Sequence, residues 1–219
     1  MVDITWYGQS CFKVKGKKGS IVFDPYDADF TGLSQLKLEG DVVCVTHDHG
    51  DHNNVKAVSG DIEGKDPLVI TGPGEYEISQ MDIVGIASYH DSKQGAERGK
   101  NTIYSAKVDD INIVHLGDLG QAKLSEEQVE QLSSCDVLFI PVGGVYTISA
   151  KEAPDVISQI EPKIVIPMHY KIDRLKFDLA PVDKFLSAMG KAKKEPQNKL
   201  SLSKDKLPEE IEIVVLNKQ

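Results

Sequence analysis

The stretch Thr46-His47-Asp48-His49-Gly50-Asp51-His52 places three imidazoles and two carboxylates directly after an apolar run, Asp41-Val42-Val43-Cys44-Val45-Thr46. That run is β-branched and apolar enough to form a buried strand, so the histidines begin where a strand stops and the chain emerges at a sheet edge. Gly50 lets the backbone turn sharply there. Imidazole nitrogen and carboxylate oxygen are the donor pair for a borderline divalent metal, and the His-x-His-x-Asp-His spacing can aim two donors at one point and two at another. A centre for two metals follows. The competing reading, a polar loop with incidental histidines, fits poorly because half of the chain's six histidines fall within this stretch.

The 219 residues are enough to bury a substantial core, and one domain over 1–219 is the simplest division. A formal net charge of -9 argues against a broad nucleic-acid or anionic-membrane footprint, which needs a basic face. Cys11, Cys44 and Cys135 are odd in number and widely spaced, and they read as reduced, buried thiols of a cytoplasmic protein. No leader of basic then apolar residues is evident, and no apolar run approaches the roughly 20 residues of a membrane span. The expected partner is a small-molecule substrate, with no nucleic acid and no membrane. A homo-oligomer is compatible with the sequence, which carries no signal for or against it.

In chain order, Val2 to Trp6 and Ser10 to Val14 predict a hairpin turned through Gly8, followed by a third antiparallel strand, Ser20 to Phe23, that ends in Asp24-Pro25. Asp24, a carboxylate at a strand end, is a candidate to hold a ligand imidazole by its other nitrogen, or else an ordinary turn aspartate. Tyr26 to Leu38 has no period and reads as a loop, a candidate to line the site. Asn53 to Val58 predicts a short helix capped by Asp51 or Asn53. Strands are expected at Leu68 to Thr71, Glu75 to Ile78, Met81 to Tyr89, from Thr102 to Tyr104, and at Ile111 to Val114. Ser92 to Asn101 is polar and glycine-bearing, a loop of the kind that commonly carries function.

Ser125 followed by Gln128 gives a capping box for a helix to Leu132. Val137 to Ile140 and Lys163 to Ile166 predict buried strands, Ser149 to Ile160 a helix with Ala150, Ala153, Ile157 and Ile160 on one side, and Ala180 to Met189 a last helix with Pro181 in its first turn. The lysine-rich residues 191–206 read as a solvated linker before Ile211 to Leu216 closes a sheet edge. Hairpins first and strand-helix units later predict an α/β protein with two sheets flanked by helices.

All six histidines stand at or just past predicted strand ends, and Asp118 follows His115 by three residues. One site is the economical reading. The histidine motif with these later strand-end residues resembles the signature of the metallo-β-lactamase superfamily, and most closely its small β-lactamase-like, zinc-dependent hydrolase branch, related to ascorbate-phosphate lactonases and phospholipase-D-like members. The resemblance spans nearly the whole chain and implies an αββα sandwich of two mixed β-sheets flanked by helices. It implies that His47, His49 and His90 hold one metal, that Asp51, His52 and His169 hold a second, and that Asp118 bridges them. His115 matches a position where this branch also carries histidine and is expected to act behind the ligands or as a proton relay. Arg98-Gly99-Lys100-Asn101-Thr102 looks like a pattern of the same branch.

Two divalent ions, zinc first and manganese or iron as alternatives, would bring a shared water near neutral pKa and polarise a carbonyl or phosphoryl oxygen. Asp51 is then the candidate orienter of the nucleophile. Arg98, Asn101 and Tyr146 are the candidate substrate contacts, with Thr147 and Lys171 weaker. The chain departs from true β-lactamases in having Asp118 at the bridge, which disfavours antibiotic hydrolysis, and it lacks the inserted exosite of the transfer-RNA-processing nucleases. Three readings therefore stand: hydrolysis of a small phosphodiester, lactone or amide; oxidation of a thiol or persulfide at a single iron; and metal binding without catalysis.

Overall fold

The computed structural model describes residues 1–61 and 65–219. Its strands are β1 Val2–Gly8, β2 Cys11–Lys15, β3 Ser20–Phe23, β4 Leu38–Glu39, β5 Val42–Cys44, β6 Val58–Ser59, β7 Leu68–Ile70, β8 Gly74–Ile78, β9 Met81–Tyr89, β10 Lys100–Val108, β11 Ile111–His115, β12 Val137–Pro141, β13 Ile164–Met168, β14 Leu200–Leu202 and β15 Glu212–Ile213. The helices are α1 Ala28–Thr31, α2 Glu126–Leu132, α3 Ala153–Ile160 and α4 Val182–Ala188. One mixed sheet runs β14-β1-β2-β3-β5-β7 and the other β15-β13-β12-β11-β10-β9-β8, with β4 and β6 as a separate pair. This is the α/β sandwich expected, with helices few and short.

Period-two alternation decides which face of the first sheet meets the second. Ile4, Trp6, Phe12, Val14, Ile21, Phe23, Val42 and Cys44 join one apolar core with Ile103, Ile113 and Phe139, while the alternating Cys11, Val22 and Val43 pack in a second cluster with Tyr26, Leu33 and Leu179. Phe12 stacks on Phe139 across the interface, with centroids 4.0 Å apart and planes 10° from parallel. Truncating so fully buried a ring as Phe139 costs about 3–5 kcal/mol. Helix α3 seals the far side of the second sheet with Ala153, Val156, Ile157 and Ile160.

Strands β3, β5 and β7 are parallel to one another, as are β11, β12 and β13, and β9 runs with β11 because each is antiparallel to β10. Their carboxyl ends therefore share an edge of each sheet, the place where open α/β sheets take ligands.

Several expectations are corrected. The loop from Tyr26 contains α1, with Asp27 accepting from Phe30 N and Gly32 closing it in the left-handed region. One helical turn shows no period, which hid it. The residues expected to form a linker hold β14, which pairs with β1 and is pinned by Lys199 Nζ to Asp3 Oδ2 at 2.8 Å and Ser201 Oγ to Asp3 Oδ1 at 2.6 Å. The Asn53 helix is a single 3-10 turn, Val55–Ala57, whose cap position Asn54 makes no side-chain capping bond, so neither Asp51 nor Asn53 serves there. Helix α3 starts at Ala153 rather than Ser149, and Pro181 is the cap of α4 rather than part of its first turn. No helix among the described residues is long and apolar enough to cross a membrane.

Candidate metal centre

The structure brings the seven expected ligands together at this edge in two groups, His47-His49-His90 and Asp51-His52-Asp118-His169, each with its donor atoms within 4.8 Å of one another. Asp118 stands between them. Its Oδ2 lies 3.4 Å from His90 Nε2 in the first group and 3.4 and 3.2 Å from His52 Nε2 and His169 Nε2 in the second.

The residues fit divalent ions. His47 Nε2 and His52 Nε2, the nitrogens turned to the site, are buried without a hydrogen-bond partner among the described residues, an arrangement that is costly for imidazole unless a lone pair has another use. Nitrogen and carboxylate oxygen together suit zinc, and also manganese or iron.

The supports behind the ligands are as specific as the ligands. Asp24, fully buried, accepts from Thr46 N at 2.8 Å and Thr46 Oγ1 at 2.8 Å, and its Oδ2 lies 2.8 Å from His52 Nδ1. The carboxylate can only accept, so His52 carries its proton on Nδ1 and turns Nε2 to the site. Thr46 Oγ1, its own proton given to Asp24, accepts from His47 Nδ1 at 3.0 Å, which frees His47 Nε2 in the same way. On the turn between β1 and β2, Gln9 donates from Nε2 to Asp51 Oδ2 at 3.2 Å, Ser10 Oγ donates to Asp118 Oδ1 at 3.4 Å, and Gln9 O accepts from His169 N at 3.2 Å. Gln9, Asp24 and His169 all sit at positive φ, 48°, 45° and 50°, a backbone state that non-glycine residues hold only where the surroundings fix it.

The two groups differ electrostatically. Burial pushes His47 down to about 2, and His90 is lowered for the same reason. Burial also opposes charge on His169, but Asp118 and Asp51 outweigh it and raise that pKa to about 9; His52 rises too, against burial, through Asp118, Asp51 and Asp24. In the first group His47 and His90 are thus held as neutral nitrogens, whereas the second group is centred on carboxylates.

A cavity of about 520 Å³ opens on the ligands and is lined also by Phe30, Glu97, Arg98, Gly99, Tyr146 and Phe177. Arg98 and Tyr146 stand where a substrate contact is expected, the guanidinium carbon 5.7 Å from the centre of the Tyr146 ring. The loop bearing Arg98 is gathered by Asp91, whose carboxylate accepts from the amides of Lys93, Gly95, Glu97 and Arg98 at 2.7–3.0 Å. Burial raises its pKa, yet these donors together hold it down at about 2.

Two expected site residues stand elsewhere. Asn101 is buried and does not line the cavity; it donates to Ser88 Oγ and Leu116 O and accepts from Asp118 N at 3.0 Å, so it sets the backbone of the bridging aspartate. A Cβ on Gly117, at φ +56°, would come within 2.4 Å of Asn101 Oδ1, and glycine is required there. His115 is fully buried, donates from Nε2 to Ser10 O at 2.8 Å and accepts on Nδ1 from Gly117 N at 3.0 Å. Both nitrogens are occupied by backbone, and burial lowers its pKa, so it is a neutral strut and not a proton relay. Of the weaker candidates, Thr147 bonds its neighbour's carbonyl and Lys171 holds Phe177 O. Gln9, Ser10 and Phe177 are not among the site residues expected from the sequence, and Phe30 is reached only as part of the Tyr26–Leu38 loop expected to line the site. The first two follow a strand end as the histidines do, and that is the signal that points to them.

The β-lactamase superfamily domain matches residues 3–169. A UPF0173 metal-dependent hydrolase of Pyrococcus horikoshii is 31% identical over 195 residues, covering 78% of this chain and 85% of that protein, and one of Thermoplasma acidophilum is 28% identical over 201 residues, covering 83% and 87%. The crystal structure of a candidate zinc-dependent hydrolase of the metallo-β-lactamase superfamily from Thermotoga maritima is similar with a TM-score of 0.79 and 36% identity, over 99% of this chain and 98% of that one. The sandwich and its histidine-aspartate edge define a metallo-β-lactamase-fold protein. The chain belongs to the β-lactamase superfamily.

Proposed function

We propose that this chain, a metal-dependent hydrolase of the metallo-β-lactamase superfamily, works with two divalent ions, zinc first, and hydrolyses a small phosphodiester or lactone, the phosphodiester being favoured. The observation that carries the two-ion reading is the position of Asp118 Oδ2, within 3.4 Å of imidazoles from both donor groups. His47, His49 and His90 would hold one ion, Asp51, His52 and His169 the other, and Asp118 both.

When bound, such ions supply a water acidified toward neutral pH and a Lewis acid for the scissile oxygen. The protein's groups do the rest. Asp51, its Oδ2 steadied by Gln9, accepts a hydrogen bond from the attacking water and fixes its direction. Asp24 and Thr46 keep the His52 and His47 nitrogens aimed at the site. Arg98 forms no ion pair with a carboxylate among the described residues, so its guanidinium is open to a phosphate charge, which it can meet with two parallel N–H donors. That open guanidinium is why the phosphodiester is favoured over an amide or a lactone.

In the cell we place the enzyme in the cytoplasm, acting on a small molecule without nucleic acid or membrane; its cysteines are free and buried. The test is a panel of chromogenic phosphodiesters, phosphomonoesters, lactones and a cephalosporin, assayed with zinc, manganese and iron, alongside elemental analysis. Phosphodiester turnover with about two ions per chain is the expected result. Absence of hydrolysis with every metal, together with oxygen uptake in the presence of a thiol, would assign the site to oxidation instead.

A further inference from the structure

One side of the cavity is a wall of aromatic rings drawn from separate parts of the chain. Phe30 on α1 meets Phe177 edge to face with centroids 5.6 Å apart, Phe177 meets Tyr146 at 6.3 Å, and Arg98 lies against the Tyr146 ring at 5.7 Å. The wall is joined to the ligands through Gly50: Asp27 N donates to Gly50 O at 2.8 Å, and a Cβ on Gly50 would come within 2.9–3.2 Å of the Phe30 ring. The Phe30 ring therefore rests directly on the backbone between His49 and Asp51.

These rings are poorly placed for stability. Phe30 is 50% exposed and Tyr146 40%, and rings that a fold leaves in water beside a concave polar site are the usual mark of ligand contact. The charges nearby select further. Glu97 is engaged by Lys93, whereas Arg98 has no carboxylate partner among the described residues. A cavity of about 520 Å³ is of small-molecule size, not a surface for a second chain.

We propose that Phe30, Phe177 and Tyr146 form a ring-binding subsite, so that the substrate is a planar aromatic anion whose ring packs on this wall with its charge toward Arg98 and its reacting group at the metal ligands. This deepens the hydrolase reading and rests on it for the position of the reacting group. Ring contact of this kind is worth about tenfold in affinity.

The test measures binding, not turnover. Zinc-reconstituted protein is titrated calorimetrically with phenylphosphonate and with methylphosphonate, which share an anionic head and differ in the ring. Phenylphosphonate is expected to bind about tenfold more tightly to the wild type. The preference falls to about threefold or less in Phe177→Ala and Tyr146→Ala, and survives in Tyr146→Phe, which keeps the ring. Circular dichroism and zinc content check that each variant is folded and loaded. Equal affinities in the wild type, a preference that survives both alanine variants in folded protein, or no binding of phenylphosphonate at millimolar concentration each overturn the proposal. If the ester panel shows no hydrolysis but the phenyl preference and its loss are seen, the hydrolase reading fails and the ring subsite stands.

Discussion

The Asp24 carboxylate is 2.8 Å from Nδ1 of His52 and reaches His47 Nδ1 through one intervening hydroxyl, that of Thr46. A single fully buried aspartate thus sets the ring orientation of a donor in each group. Replacing it with asparagine keeps the shape and tolerates the positive φ but removes the charge. Asp24→Asn is expected to bind zinc about 10–100-fold more weakly, measured by competition with a chelating dye. Unchanged zinc affinity in a folded variant would show that Asp24 is an ordinary turn residue.

The turn between β1 and β2 offers a second, separable effect. Gln9 donates to Asp51 Oδ2 without belonging to either donor group. Gln9→Met keeps the length and loses the donor. A hydrogen bond to a charged group is worth about 1.5–3 kcal/mol, so kcat should fall roughly ten- to hundredfold while zinc content and KM stay near those of the wild type. A fall in zinc content equal to the fall in kcat would make Gln9 a support of the metal and not of the reacting groups.

Much of this centre is legible in the sequence because ligand chemistry and strand ends coincide. Val42 to Cys44 is apolar on both faces, and His47 must follow where the strand leaves the sheet. His90 after β9 and His169 after β13 obey the same logic. What the pattern hides is distance in three dimensions. Asn101 and His115 carry the right chemistry at the right strand positions, but their side chains turn to backbone partners, Leu116 O and Ser10 O, that no spacing rule identifies. Of the aromatic wall, Tyr146 is marked by the sequence but its two phenylalanines are not singled out, for a similar reason: Phe30 lies on a one-turn helix and Phe177 in a loop, and neither has a periodic neighbour to mark its face. Strand β14 is obscured by the lysines on either side of it, one of which, Lys199 just before the strand, fastens it to Asp3.

Asp91 should act on substrate affinity through the Arg98 loop. Its carboxylate collects amides from Lys93 to Arg98, and with Asp91→Ala those donors lose their common acceptor. Trypsin should then cut faster after Lys93 and Arg98, and KM should rise more than kcat falls. An unaltered cleavage pattern would mean that Gly99, whose carbonyl accepts from His90 N, is enough to hold the loop.

The last contrast is between two histidines of the same motif. His49 is exposed at the cavity, whereas His52 is fully buried with Asp24, Asp51 and Asp118 around it. His49→Ala removes a donor without leaving a charge unpaired or opening a cavity, so the metal-free chain should keep its stability within about 0.5 kcal/mol. It should nevertheless lose an ion and the activity, because the first donor group falls to His47 and His90. His52→Ala leaves buried carboxylates facing one another with no imidazole between them, a loss of about 3–5 kcal/mol. For a chain of this length that lowers Tm by roughly 6–20 °C. Calorimetric scans of both variants and the wild type, stripped of metal by chelator, measure the difference directly. Equal shifts in Tm would mean that His49 supports the fold as much as His52 does, and an unfolded His49→Ala chain by circular dichroism would make the whole motif structural.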